Sequence, residues 1–99
     1  MIAVIGSFRL PLETLDEARP MMRRVIAATL VEPGCRAYSY SEDVAAPGVI
    51  RVQELWDSRA ALTTHFATPH MRRWMDQRVL LGLSQRRMTA FELGVAEEL

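Results

Sequence analysis

The sequence predicts an α+β domain in which one antiparallel four-stranded sheet is covered by helices on one face. Three observations predict this class. Segments whose apolar side chains alternate every second residue lie near both ends of the chain and in a hairpin between them. Segments with helical spacing separate these strands. Capping residues or a proline–glycine pair mark most of the boundaries.

The composition fits one small domain over residues 1–99. Of the 99 residues 49% are apolar, which is enough for a core, and 12 basic residues balance 12 acidic ones. A domain of this size buries only about two-thirds of its unfolded surface, so a dimer interface would add useful burial. The balanced charge argues against a nucleic-acid partner, which usually needs a basic face.

The cysteine count and the N-terminal segment predict a cytoplasmic protein without a membrane partner. The single cysteine excludes an internal disulfide and fits a reducing compartment. The first ten residues, MIAVIGSFRL, lack a basic lead, and a glycine and a serine interrupt their apolar run. They therefore resemble neither a signal peptide nor a membrane span.

The first strand and the first helix occupy the first third of the chain. Residues 2–10 are apolar on both faces near their start, which predicts a strand covered on both sides. Residues 14–17, TLDE, have the form of a capping box, and helical spacing continues to about Val31. Pro20 is expected to kink this helix because it removes one backbone hydrogen bond. Pro33-Gly34 ends the helix.

Residues 35–42 and 49–56 are expected to form a hairpin. In the first of these strands, small side chains face one way and Tyr38 and Tyr40 face the other. The small set suits a surface crowded by a helix. The tyrosines suit an interface, because a phenol is apolar in its body and polar at its tip. One face of the second strand carries Ile50, Val52, Glu54 and Trp56.

Two helices and a strand complete the predicted chain. Asp57 or Ser58 caps a short helix over residues 59–67. Thr68 and Pro69 begin another helix, which runs to about residue 83. A last strand is expected over residues 85–95, and the tail AEEL is exposed. The inner face of the short helix carries Ala61, Leu62, His65 and Phe66.

The element order β-α-β-β-α-α-β, joined by right-handed crossovers, predicts a ferredoxin-like sandwich. Its helices cover one sheet face only. The first three strands nevertheless carry apolar or aromatic residues on both faces. The bare face therefore predicts a homodimer that packs sheet to sheet.

Four short motifs, in their order and spacing, resemble the antibiotic biosynthesis monooxygenase domain. They are EPGCxxY at residues 32–38, ExW at 54–56, ALxxHF at 61–66 and PH at 69–70. The resemblance covers nearly the whole chain and implies a dimeric α+β barrel. The family includes cofactor-free oxygenases of quinols and anthrones, haem-degrading enzymes and proteins with no established activity. In its oxygenases a deprotonated substrate itself reduces dioxygen, so the resemblance implies neither a cofactor nor a metal.

The resemblance places a substrate cleft between the sheet and its helices. His65 is the candidate base because its ordinary pKa of about 6.5 suits neutral pH, although a hydrogen-bonded structural role is also open. Glu54 is a second candidate, either as a base with a raised pKa or as a buried carboxylate paired with an arginine or a helix amide. Trp56 either contacts a ligand or fills the core. The other expected lining residues are Phe8, Val52, Leu62, Phe66, Met71, Trp74 and Met75.

Several residues depart from the branches of this family. Val52 stands where anthrone oxygenases have an asparagine, and Leu62 stands where they have a tyrosine. Phe8 lies on the strand where haem-degrading members have an asparagine. His65 and His70 instead resemble the quinol-monooxygenase-like branch. The first hypothesis is therefore a cofactor-independent monooxygenase of a small quinol- or phenol-type substrate. The alternative is a non-catalytic, dimeric small-ligand binder or stress protein that uses the same cleft.

The remaining polar residues predict no further site. His70 lies in the first turn of a helix, where a positive charge is unfavourable, so it is expected to be neutral and at the surface. The two histidines and the cysteine are not expected to converge, because their spacing matches no metal-ligand pattern. Haem degradation is the least favoured activity.

Overall fold

The computed structural model describes residues 1–99 and has the predicted element order. The strands are β1 (Ile2–Arg9), β2 (Cys35–Glu42), β3 (Val49–Trp56) and β4 (Ser84–Glu92). The helices are α1 (Leu15–Leu30), α2 (Arg59–Phe66) and α3 (Pro69–Leu81), and a short 3-10 turn (Leu12–Thr14) precedes α1. The first strand is one residue shorter than predicted, and the last strand ends at Glu92 rather than at residue 95.

The four strands form one antiparallel sheet in the order β2-β3-β1-β4. The two strands from the ends of the chain are therefore adjacent, and the central hairpin extends the sheet on the other side of β1. Helix α1 packs against both β2 and α3. This is the predicted ferredoxin-like α+β fold. None of the helices is both long and apolar enough to cross a bilayer.

Helix α1 does not begin with the expected capping box. The Thr14 side chain makes no cap hydrogen bond, because the 3-10 turn has already brought Thr14 into a helical conformation. Its hydroxyl instead lies 2.9 Å from the carbonyl oxygen of Leu81 and 3.1 Å from that of Pro11. The threonine thus ties the start of α1 to the end of α3. The kink at Pro20 stays a prediction.

The caps of α2 and α3 confirm the sequence analysis. The Ser58 hydroxyl accepts a hydrogen bond from the backbone N–H of Ala61 at 3.1 Å. Thr68 caps α3 in the same way, and Pro69 takes the first helical position. Gly82 ends α3 in the left-handed conformation, with φ of 86°.

The two tyrosines of β2 lie on the helix-covered inner face of the sheet, so their interpretation as a dimer interface was wrong. Tyr38 is buried and packs against Trp56 and His65, with ring centroids 6.4 and 5.2 Å apart. Tyr40 packs edge-on against Phe8 at 5.7 Å. Large rings rather than small side chains therefore fill the space between the hairpin and the helices.

The opposite face of the sheet carries the small side chains of β2 and several unburied apolar residues. Ile5 is 58% exposed and Phe91 is 48% exposed on this face. The ladder places Ala3 opposite both Leu55 and Phe91. We call this surface the outer sheet face, and its apolar residues are Ala3, Ile5, Ala37, Leu55 and Phe91.

Candidate active site

A narrow cleft lies between the inner face of the sheet and helices α2 and α3. Its atoms enclose about 270 Å³, including the space that opens to solvent, and only a water-sized sphere fits freely inside. Aromatic and apolar side chains dominate the walls, with a few polar groups among them. The lining residues are Phe8, Tyr38, Tyr40, Val52, Glu54, His65, Phe66, Met71, Arg78, Arg86 and Met88.

The structure divides the predicted site residues into two groups. Phe8, Val52, Glu54, His65, Phe66 and Met71 line the cleft as expected. Trp56, Leu62, Trp74 and Met75 do not line it; they pack in the core behind its walls. Periodicity placed all of them on the inner side but could not tell how deep each one lies.

His65, Glu32 and His70 form one hydrogen-bonded cluster that joins the turn after α1 to helices α2 and α3. The Nδ1 atom of His65 lies 2.8 Å from Oε2 of Glu32, and Nε2 of His70 lies 2.7 Å from the same oxygen. Exposure rises along the cluster, from 1% for the His65 side chain to 9% for Glu32 and 21% for His70. The two histidines thus converge on Glu32, a residue that the sequence analysis did not consider, whereas Cys35 is not part of the cluster. His70 is only partly at the surface.

This cluster sets the chemistry of His65. Because Nδ1 faces a carboxylate oxygen, it carries the proton in the neutral ring, and Nε2 is left as an acceptor. Burial lowers the pKa of His65 below its ordinary value, although the hydrogen bond and the charge of Glu32 oppose that shift. The imidazole is therefore a neutral base at neutral pH, and it lines the cleft.

The same three side chains bear on metal binding. One ligand atom from each of Glu32, His65 and His70 lies within 4.8 Å of the others, so the set could hold a metal ion. Two imidazoles and a carboxylate are ligands that zinc accepts. Nδ1 of His65 and Nε2 of His70 are both within hydrogen-bond distance of Oε2 of Glu32. Hydrogen bonds alone therefore explain the arrangement of the three side chains.

Glu54 is buried, but its partner is neither an arginine nor a helix amide. The indole N–H of Trp56 donates to Oε1 of Glu54 at 2.9 Å. Burial raises the pKa of Glu54, and this hydrogen bond partly offsets the rise. No hydrogen bond joins Glu54 to His65, whose carboxylate partner is Glu32. The two candidate bases are therefore held by separate partners.

The tyrosines of the cleft are hydrogen-bond donors rather than bases. The hydroxyl oxygens of Tyr38 and Tyr40 lie 2.7 Å apart. Burial raises the pKa of Tyr40 to about 12 and that of Tyr38 further still. Both phenols therefore stay protonated at neutral pH.

Arg78 and Arg86 are cleft residues that the sequence analysis did not assign to the site. Arg78 is half-buried on α3, and Arg86 reaches the cleft from β4. Neither forms an ion pair with a carboxylate. Burial is the main cause of a lowered pKa at Arg78, and the charge of Arg86 lowers that pKa further. The sequence does contain a signal for Arg78, because this charged residue continues the otherwise apolar helical stripe of Met71, Trp74 and Met75.

Solved structures resemble this fold over nearly its whole length. A Deinococcus radiodurans protein, provisionally assigned as an antibiotic biosynthesis monooxygenase, is 30% identical, with a TM-score of 0.93 over 100% of this chain and 98% of that one. A Mycobacterium tuberculosis protein is 28% identical, with a TM-score of 0.82 over 98% of this chain and 96% of that one.

Sequence comparison identifies the family. An uncharacterised Synechocystis protein is 30% identical over 76 residues, which are 77% of this chain and 52% of that protein, so the chain spans about half the length of that curated relative. The model of the family described as antibiotic biosynthesis monooxygenase matches residues 1–77. The chain therefore belongs to the antibiotic biosynthesis monooxygenase family.

Proposed function

We propose that this protein is a cofactor-independent monooxygenase that acts on a small phenol or hydroquinone in the cleft, and that residues 1–99 act as one domain. The observation that carries this proposal is the hydrogen bond of 2.8 Å between His65 and Glu32. It leaves Nε2 of His65 as the proton acceptor of a largely apolar cleft. A general base within reach of a bound phenol is what substrate-driven oxygen chemistry requires.

The proposed reaction needs only the substrate and dioxygen. Nε2 of His65 removes the phenolic proton, and the phenolate gives one electron to dioxygen. The resulting superoxide joins a ring carbon of the phenoxyl radical, forming a carbon–oxygen bond. The oxygen–oxygen bond then breaks: one oxygen stays on the ring as a quinone carbonyl. The other leaves as water with the phenolic proton and the proton of that ring carbon, so a naphthol and O₂ give a naphthoquinone and H₂O.

The surrounding residues support this sequence of steps. Glu32 would stabilise the imidazolium that forms on His65, as a carboxylate does in a catalytic triad. Trp56 lies 4.8 Å from the His65 ring, centroid to centroid, and would hold that ring and Glu54 in place. Glu54 stays a candidate second base.

A substrate ring would enter by displacing side chains at the mouth of the cleft. Phe66 is 41% exposed there, so moving it costs little core packing. Met71 and Met88 also line the space, and methionine side chains adapt to new shapes more readily than branched ones. The narrow free space therefore favours a small, flat substrate over a bulky one.

We also propose a homodimer that packs through the outer sheet face. Members of this family are generally dimeric. Exposed apolar residues on a sheet face that no helix covers support this choice of interface. A cytoplasmic location stays a prediction, supported by the single unpaired cysteine.

Oxygen-isotope labelling tests the activity. Incubation with ¹⁸O₂ and a panel of naphthols and hydroquinones should place one labelled oxygen in the quinone product, with oxygen uptake that depends on the protein. The variant His65→Ala should lower turnover about a hundredfold or more, the low end for general-base catalysis, whereas Thr63→Ala on the exposed side of α2 should not.

Two results would contradict this proposal. Near-normal turnover in a folded His65→Ala protein would remove the histidine from the mechanism. Tight binding of the aromatic panel without labelled product would instead favour the non-catalytic ligand binder.

A further inference from the structure

Two arginine side chains from different elements meet in the cleft. Arg78 lies on the last turns of α3 and Arg86 near the start of β4. They are close enough that the charge of Arg86 acts on Arg78. The other titratable groups that face this space are Tyr38, Tyr40, Glu54 and His65.

Neither guanidinium forms an ion pair within the chain. Arg19, Arg36, Arg51 and Arg59 are paired with carboxylates at the surface, and six further arginines are exposed without such a partner. Arg78 and Arg86 differ from those six because they line the cleft. Glu54 is the only carboxylate among the lining residues. The indole of Trp56 donates to it, and the charge of Arg86 acts to lower its pKa, but no ion pair joins Glu54 to either arginine. Two like charges that face one narrow space, one of them half-buried, are unfavourable unless an anion joins them.

We propose that Arg78 and Arg86 bind a carboxylate substituent on the aromatic substrate, so that the substrate class is a hydroxylated aromatic acid. As a statement about substrate, this rests on the proposed function. Guanidinium groups match carboxylates through paired, charge-assisted hydrogen bonds. A phosphate would satisfy the same donors, and the experiment below separates the two groups.

The positions of these residues also orient the substrate. Arg78 lies eight residues beyond His70 on α3, which is about 12 Å along the helix axis. Helical side chains lean towards the N-terminus, so Arg78 reaches back over the cleft rather than away from it. An acid group at the arginines would therefore point the opposite end of a flat ring system towards His65. The hydroxyl to be deprotonated is expected at that end.

Binding of unreactive ligands tests this inference without any oxygen chemistry. Calorimetry at low salt would compare 2-naphthoate, 2-naphthyl phosphate and the neutral 2-naphthalenemethanol. We expect naphthoate to bind at least about tenfold more tightly than the alcohol, since charge-assisted hydrogen bonds contribute that much or more. Arg78→Gln and Arg86→Gln should each remove most of this preference. Arg72→Gln, the same change at an exposed position of α3, should keep it.

The outcomes separate this inference from the proposed oxygenase. Equal affinity for naphthoate and the alcohol would overturn it, even if plain naphthol were oxygenated. An intact preference for the acid in a protein that forms no labelled quinone would leave the anion site standing and remove the oxygenase. Tighter binding of 2-naphthyl phosphate than of 2-naphthoate would overturn the assignment of a carboxylate and would mean that the two arginines bind a phosphate group. If Arg78→Gln failed to fold, the preference for naphthoate measured with Arg86→Gln would still test the inference, because Arg86 is exposed and its replacement should not disturb the core.

Discussion

The two faces of the sheet differ in what they leave unsatisfied. The inner face is packed with large side chains, and its polar groups are mostly paired, as with Glu54 and Trp56. What it leaves unpaired in the cleft is charge, on Arg78 and Arg86. The outer sheet face leaves apolar surface instead, with Ile5 more than half exposed. Unpaired charge in a cleft points to an anionic ligand, whereas uncovered apolar surface points to a second protein surface.

The two faces can be compared directly at Tyr38 and Ser39, which are neighbours on β2 but point to opposite faces. Substitutions there give the largest expected effect, which is on the free energy of unfolding. Tyr38→Asp would empty a large core site and bury a charge, so we expect the free energy of unfolding to fall by more than about 4 kcal/mol. Ser39→Asp points to the other face and should change monomer stability by no more than about 0.5 kcal/mol. Urea unfolding of both variants at a protein concentration low enough for the monomer checks this, and similar losses would mean that the two faces are wrongly assigned.

A charge on the outer sheet face should act on association rather than on folding. Ile5→Asp is expected to weaken the proposed dimer at least tenfold, because a buried interface charge would have no partner. Sedimentation velocity over a range of concentrations measures the change. Val79→Asp, at a residue 74% exposed on α3, is the matched control and should leave the dimer intact. A wild-type protein that stays monomeric at micromolar concentration would refute the interface.

The charge of Glu32 should set the pH dependence of the inner face. Burial lowers the pKa of His65 and Glu32 opposes this, so the acid limb of the activity profile should have its midpoint below about 6.5. Glu32→Gln removes the opposing charge and should move that midpoint to still lower pH. Proton NMR of His65 and the rate profile should shift together, whereas the exposed Glu97→Gln should shift neither. An unchanged pKa in Glu32→Gln would exclude the coupling.

The smallest expected effect is on stability at mildly acidic pH. The unfolded chain binds a proton at histidine more readily than the native state, in which burial lowers the pKa of His65. The free energy of unfolding should therefore fall as pH drops below about 6.5, by at most about 1.4 kcal/mol per pH unit for one proton. Burial raises the pKa of Glu54, which acts in the opposite direction, so the test is the difference between wild type and His65→Gln in urea melts. A difference that does not vary between pH 7.5 and 5.5 would argue against it.

The sequence by itself determined the fold and the helix ends that depend on local chemistry. Alternation and helical spacing are local properties, so all four strands and three helices could be predicted within a few residues. Ser58 and Thr68 cap their helices as expected, because a cap needs only residues three or so positions apart. The placement of His65 and Glu54 on inner faces followed from the same periodicity.

Only the tertiary structure decided which partner each of those side chains has. Glu32 meets His65 and His70 across 33 and 38 positions of the chain, a distance that no local pattern encodes. The alternation of side chains along β2 placed the tyrosines and the small residues on opposite faces of the sheet. It could not show which of these two faces is covered by the helices. That choice depends on how the crossovers place α2 and α3 over the sheet. The pairing of Arg78 with Arg86 in one cleft has the same cause, since it requires α3 and β4 to be packed before the two charges meet.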